Sequence, residues 1–232
     1  MNPRVRTTMK KFLSKTLPNS QRLRYLAHLP KMEQWRNEHQ EDYPFYDARN
    51  DLYDYLNTQV LENQPICYLE FGVFKGETIK YWSQINDHAE SRFHGFDTFT
   101  GVPVIWESFT DVTFMNKFDV KGKIPGIEDG RISFSKGFFQ ETLPGFLETF
   151  EPSLPLVVHN DSDIYPSTMY MLTRCNDYLV PGTIIIFDEF SSMLHEFRAL
   201  EDYCESYMRT YEVLGATNWP QSYYPQVAIR MK

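Results

Sequence analysis

The chain has 232 residues, 42% of them hydrophobic and 16% aromatic, which suffices for one sizeable α/β domain and falls short of two. Its charge is uneven: residues 1–32 hold eight of the 23 Lys/Arg (Arg4, Arg6, Lys10, Lys11, Lys15, Arg22, Arg24, Lys31) and no acid, leaving fifteen basic against 31 acidic residues, a net of −16, in the rest. Such a body repels a phosphate backbone, so no nucleic acid partner is expected, and without an apolar run of bilayer length or a secretory leader pattern the expectation is a cytoplasmic protein with no membrane contact.

The basic arm reads as a solvated extension or lid helix, with contact to an anionic surface or a transit role as the alternatives. From about Leu52, short apolar runs alternate with helical patterns, the rhythm of a parallel sheet with crossover helices. Ile66–Phe71 reads as a buried strand, Gly72–Gly76 as a turn, and a helix follows through Tyr81 and Trp82. Arg92–Phe96 is a second strand that ends at Asp97. The stretch from Gly101 to Gly130 is too long for a plain connection and reads as a lid or binding loop. Arg131–Phe134 is a third strand, Leu143–Phe150 a helix, Leu156–His159 a fourth strand, and Ser167–Leu179 a helix. After the Pro181-Gly182 turn come a fifth strand at Thr183–Phe187, a helix at Glu196–Met208, and strands at Tyr211–Leu214 and Gln226–Met231. Cys67, Cys175 and Cys204 are odd in number, far apart and without zinc spacing, and read as reduced thiols.

In open sheets of this kind ligands bind beyond the carboxyl ends of the strands. Polar and acidic residues gather there: Glu70 and Gly72 after strand one, Asp97 after strand two, Asp161 and Asp163 after strand four, Asp188 and Glu189 after strand five. Glu70-Phe-Gly-Val-Phe-Lys-Gly76-Glu-Thr78 is an E-x-G-x-x-x-G-x-T turn between strand and helix. Gly72 lets the backbone approach a ligand, while the N–H groups after Gly76 and the Thr78 hydroxyl favour a carboxylate. The dinucleotide pattern G-x-G-x-x-G is not met, because Glu70 takes the first glycine position. An acid there suits an ammonium group, so the loop fits S-adenosylmethionine, which carries ammonium and carboxylate together. Asp97 is placed to accept from both hydroxyls of a ribose.

The second constellation is His159-Asn-Asp161-Ser-Asp163 with Phe187-Asp188-Glu189-Phe190. Neighbouring strands bring Asp161, Asp188 and Glu189 together. Three close carboxylates call for a cation or for raised pKa values, and an all-oxygen set suits Mg²⁺. Asp161 is the leading base or proton relay, with His159 and His195 behind it. The same acids also read as separate turn and capping residues. Phe99, Trp106, Phe109, Phe138 and Phe139 read equally as core or as substrate wall.

These residues carry a family resemblance. Tyr68–Gly76, Phe93–Pro103, Ser135–Pro144, His159–Thr168, Ile186–Phe190 and His195–Tyr203 together resemble the macrocin-type O-methyltransferases, which depend on S-adenosylmethionine and bind magnesium. The glycine-loop spacing is also similar to that of catechol O-methyltransferase. The resemblance implies a Rossmann-like class I methyltransferase fold, a mostly parallel seven-stranded sheet with helices on both faces. It implies a methyltransferase domain over 51–232 behind a basic arm and helical lid over 1–50. Around the cofactor it implies Glu70, Gly72, Phe74, Gly76, Thr78, Asp97, Thr98 and Asp161, with Lys136, Gly137 and Phe138 near the adenine. As metal ligands it implies Asp161, Asp188 and Glu189. Two departures stand out: Asn160 replaces a usual aliphatic residue, and Glu189 a common second Asp. The expected activity is Mg²⁺-assisted O-methylation of a small-molecule acceptor, a sugar or natural product, by a chain that allows a homo-oligomer. A metal-independent or non-catalytic cofactor-binding relative is the alternative, and a nicotinamide-dependent oxidoreductase ranks lower because of Glu70.

Overall fold

The computed structural model describes residues 3–16, 21–39, 43–103, 106–107, 112–113, 118–218 and 225–232. The elements run α1 (Pro3–Thr16), α2 (Gln21–His39), β1 (Phe45–Tyr46), α3 (Arg49–Tyr55) with a π-helical turn (Leu56–Val60), β2 (Cys67–Phe71), α4 (Glu77–Ile85) and β3 (Arg92–Asp97). They continue with β4 (Trp106–Glu107), β5 (Val112–Thr113), β6 (Ile132–Lys136), α5 (Phe139–Leu147), β7 (Leu156–Asn160), α6 (Tyr165–Arg174), β8 (Ile184–Phe187), α7 (Glu196–Tyr207), β9 (Tyr211–Thr217) and β10 (Val227–Met231).

The central strands are largely apolar and almost wholly buried because both faces of the sheet are covered, with Glu70, His159 and Asn160 as buried polar exceptions. Alternate side chains enter two different cores. Leu69, Phe71, Val158, Ile185 and Phe187 join Met171, Leu172, Phe197 and Leu200 of α6 and α7 on one face. Tyr68, Val157, Ile184 and Ile186 meet Leu52 and Tyr53 of α3 and Ile79 and Trp82 of α4 on the other. The strand order is β1-β9-β10-β8-β7-β2-β3-β6. β2 pairs in parallel with β3 and β7, as do β3 with β6, β7 with β8, and β1 with β9; β10 runs antiparallel between β8 and β9. From β2 the chain moves outward on one side to β3 and β6, and on the other to β7 and β8. The crevice where the order reverses opens at the carboxyl ends of β2 and β7.

The sheet has eight strands where seven were expected. The extra one, β1, is a two-residue edge whose Phe45 and Tyr46 register with Ala216 and Thr217, too short to leave a pattern of its own. Helix α5 starts at Phe139, ahead of the expected Leu143, because Glu141 turns back to accept the Phe138 N–H at 3.1 Å and opens the helix before Pro144. Helix α6 starts with Tyr165-Pro166 and ends at Arg174, short of the expected Leu179, and β9 runs on through Gly215 to Thr217. Within the long loop, β4 and β5 form a separate antiparallel ribbon. Helix α2 docks through buried Met32 and Trp35, and the Trp35 indole N–H donates to the Tyr211 hydroxyl at 2.8 Å. No helix among the described residues is long and apolar enough to cross a membrane.

His94 sits on β3 between two hydroxyls, Nδ1 at 2.7 Å from Ser133 Oγ and Nε2 at 2.9 Å from Ser135 Oγ, with its ring over Phe96 and Phe146. Burial lowers its pKa to about 4. The unfolded chain takes up this proton near the ordinary value of about 6.5, so the folded state loses stability as pH falls from there towards 4. His94→Gln removes this term. The gap in melting temperature between wild type and variant is therefore expected to shrink from pH 7 to pH 4.5, and a constant gap would contradict the assignment.

Candidate active site

The site begins where the sheet's hydrogen bonding outlasts its strands. Gly72 N–H donates to Phe96 O at 3.0 Å, Asp161 N–H to Phe71 O at 2.8 Å, and Asp188 N–H to Asn160 O at 3.0 Å. These bonds set Gly72, Asp161 and Asp188 side by side at the rim. Gly72 has φ of +91°, and a Cβ there would lie 1.9 Å from the Asp161 carbonyl oxygen, so no other residue fits. Asp97 ties down the loop that follows: its Oδ2 accepts from Val73 N–H at 2.8 Å and Phe74 N–H at 2.7 Å, its Oδ1 from Phe99 N–H at 2.6 Å. Phe74 is held with φ of +52°, and Gly76, at +77°, starts α4.

A cavity of about 550 Å³ opens over this rim, within the range of small-molecule sites. One wall is formed by Gly72, Phe74, Asp97, Thr98, Phe138, Phe139 and Gln140. Gly101, Val102, Pro103 and Phe118 of the long loop cover it, with Phe118 edge-on to Phe74 at 5.6 Å between ring centres. The other wall carries Asp161, Ser162, Asp163, Asp188 and Glu189, with Arg49 from the start of α3. Asp163 is buried with φ of +61°, a strained conformation of the kind that clusters at functional sites. Asp161, Asp188 and Glu189 all line this cavity.

Their electrostatics differ. Burial and then the neighbouring Asp188 charge push Asp161 well above the usual carboxylate range. Asp188 is buried too, yet contact with His159, the Arg49 charge and the Tyr53 hydroxyl together hold it below that range. Tyr53 O–H donates to Asp188 Oδ1 at 3.3 Å, and His159 Nε2 lies 3.7 Å from the same oxygen. On its other side His159 Nδ1 is 2.8 Å from the Tyr68 hydroxyl, which donates to Glu70 Oε2 at 2.7 Å.

Behind the acidic wall a second set of bonds fixes the backbone. Glu196, fully buried, accepts from Asn160 Nδ2 at 2.7 Å and from Glu189 N–H at 3.0 Å. Asn160, where the family usually has an aliphatic residue, thus has a partner of matching polarity. Arg49, Tyr53, Tyr68 and Glu196 did not stand out in the sequence. Glu196 lies in a segment whose likeness to the family was noted, but nothing in its spacing marks a buried acid.

Several expected site residues lie elsewhere. Glu70 is 1% exposed, beneath the loop with burial raising its pKa to about 8, and it does not line the cavity. His159 is fully buried in the layer below the wall. His195 Nδ1 accepts the Tyr165 N–H at 3.2 Å at the start of α6. Thr78 is buried in α4, while Lys136 Nζ donates to Gly122 O at 2.6 Å and Gly137 N–H to Asp97 O at 3.0 Å, so the latter two brace the loops around the cavity. Of the aromatics, Phe99 is core against Phe134, Phe138 and Phe139 line the cavity, Phe109 falls outside the described residues, and of Trp106 only the backbone is described. Burial raises the Cys67 thiol to about 11, as fits an inert core residue.

The pocket suits a nucleoside cofactor with a charged tail: a loop stripped of side-chain bulk at Gly72, aromatic faces at Phe74 and Phe138, and the Asp97 carboxylate between them. For a divalent ion the donor chemistry fits, since hard oxygen ligands share one wall and the repulsion between Asp161 and Asp188 is what a cation relieves. Among the described residues, however, no three His, Cys, Asp or Glu side chains are gathered so as to hold one.

The family model for macrocin O-methyltransferase (TylF) matches residues 47–219. No curated protein sequence matches the chain. Among solved structures the fold is similar to that of the O-methyltransferase NovP, with 18% identity over 78% of each chain and a TM-score of 0.59. CalS11, a calicheamicin methyltransferase, is 20% identical over 99% of this chain and 93% of its own, with a TM-score of 0.58. TomG of Streptomyces achromogenes, solved with S-adenosylmethionine, is 14% identical over the full length of both chains, with a TM-score of 0.51. The chain belongs to the macrocin O-methyltransferase (TylF) family and is an S-adenosylmethionine-dependent methyltransferase.

Proposed function

We propose that the protein transfers the methyl group of S-adenosylmethionine to a hydroxyl of a small molecule of sugar or natural-product type, with assistance from Mg²⁺. The observation that carries this reading is one cavity with two chemically distinct walls, a cofactor wall around Gly72, Asp97 and Phe138 and an acidic wall around Asp161, Asp188 and Glu189. The acceptor class draws on relatives whose names point the same way: CalS11 to calicheamicin and TomG to tomaymycin synthesis.

When bound, S-adenosylmethionine would supply an electrophilic methyl on a sulfonium, and Mg²⁺, which Asp161, Asp188 and Glu189 would hold, would supply positive charge to lower the pKa of a hydroxyl. The chain's own residues do the rest. Asp97 and the loop it pins seat the nucleoside, and Phe74, Phe118 and Phe138 exclude water from it. Asp161, on the acidic wall with its backbone against Gly72, accepts the acceptor's proton. Asp188, clamped by Tyr53 and His159, stays ionised and orients the acceptor.

Three outcomes test this. Asp97→Ala, which loosens the loop and removes the ribose partner, is expected to weaken S-adenosylmethionine binding by about 100-fold in calorimetry, the order of two charge-assisted hydrogen bonds. Asp161→Asn is expected to lose turnover by at least about 100-fold while cofactor affinity stays within a few fold; an unchanged rate would remove Asp161 from this role. EDTA is expected to suppress turnover and Mg²⁺ to restore it in wild type but not in Asp188→Ala/Glu189→Ala. Turnover indifferent to EDTA would support a second reading, metal-independent transfer, for which the ungathered carboxylates and the Arg49 guanidinium in the same wall speak.

A further inference from the structure

Every described side chain of α1, from Val5 to Thr16, is exposed. Four of them are large and apolar: Val5, Met9, Phe12 and Leu13, at 53, 46, 65 and 40% exposure. Their spacing places them on one side of the helix. Thr16 falls within the same strip, and its hydroxyl is turned back onto Phe12 O at 2.9 Å, so it strands no hydrogen bond when the strip leaves water. Arg6 and Lys10 run along one flank of the strip, Lys11 and Lys15 along the other. Among the described residues none of these four cations has an ion pair. An apolar strip bordered by cations on both flanks suits a helix lying in the plane of a bilayer, with the strip at the acyl boundary and the cations among the headgroups.

We propose that α1 is a peripheral anchor that seats the enzyme on an anionic lipid surface. Charge and apolar surface together select this occupant over a second copy of the chain. The α1 of a second copy is repelled, because residues 1–32 hold eight Lys/Arg and no acid. The acidic body of a second copy attracts the cations but offers the strip no matching floor. Outside α1 and α2 the exposed large apolar side chains among the described residues are Phe45, Ile124, Phe138, Val180, Tyr207 and Met208, scattered over five segments. An anionic bilayer supplies the apolar layer and the negative charge in one plane. The same surface repels the acidic body, so the domain stands off the membrane while α2, docked through Met32 and Trp35, ties it to the anchor. Contact of this kind needs no spanning helix, and none is present among the described residues.

The test is co-sedimentation of the full chain with vesicles of phosphatidylcholine and with vesicles of equal parts phosphatidylcholine and phosphatidylglycerol. Wild type is expected to bind the anionic vesicles at least about tenfold more tightly than the neutral ones at low salt, and to lose that preference at about 0.5 M salt. Lys10→Gln/Lys11→Gln/Lys15→Gln is expected to lose the preference at low salt as well. Phe12→Ser/Leu13→Ser is expected to bind the anionic vesicles at least about tenfold more weakly than wild type. Both variants change exposed side chains alone, so their melting temperatures and S-adenosylmethionine affinities are expected to match wild type. That match separates loss of the anchor from loss of the fold. Equal binding to both vesicles, binding to neither, or full retention by Phe12→Ser/Leu13→Ser overturns the anchor. A dimer in light scattering that this variant abolishes, without vesicle binding by wild type, assigns the strip to a second copy and overturns it too.

Discussion

The contact between Gly72 and the Asp161 carbonyl is the constraint on which the site depends. β2 and β7 lie side by side, and their pairing ends with Asp161 N–H on Phe71 O. The next residue of β2 must then turn away across the top of its neighbour, where there is no room for a side chain. This close approach has two effects at once. It starts the loop that wraps the cofactor, and it presses that loop against the residue proposed to take the proton. Cofactor wall and acidic wall are therefore not two sites joined by chance, because one backbone contact sets the distance between them.

The acidic wall is tolerated because each carboxylate has a different answer to burial. Asp161 is left with its pKa raised, whereas Asp188 is steadied by His159, Arg49 and Tyr53. Glu196 has no access to solvent but accepts from Asn160 and the Glu189 backbone. Burial still pushes its pKa well up, and Glu189 and Asp163 add to that. Unequal neighbours thus turn a group of like charges into a set of distinct chemical roles.

The central strands and the rim were legible in the sequence, because burial on both faces writes a largely apolar run and the acid at or just after the end of each run inherits the site. Asp97, Asp161 and Asp188 are found by that logic alone. The loop glycine was legible too, although the burial of Glu70 was not, since its neighbours Tyr68 and His159 draw the carboxylate under the loop. The contributions of α3 were hidden for a physical reason. Tyr53 and His159 are 106 residues apart, and nothing local distinguishes an arginine at the head of a short helix from any solvated one. Glu196 was missed because its partners, Asn160 and Glu189, come from two other segments. The start of α5 was misplaced because Pro144 is a stronger punctuation mark than the glutamate that opens the helix.

β10 is inserted between β8 and β9, although it is made after both. As the chain leaves the ribosome, β2, β3, β6 and β7 have every neighbour they need, while β8 keeps an open edge and the β1–β9 pair has no strand joining it to the sheet until Val227–Met231 emerges. The cofactor half of the molecule can therefore form during synthesis, and the edge that packs on the far side of α3 must wait. A nascent or clipped chain lacking β10 would expose the β8 edge and leave β1 and β9, which pack against α3, unattached to the sheet. Quality control would then meet a protein that holds its nucleotide crevice yet has no finished acceptor side.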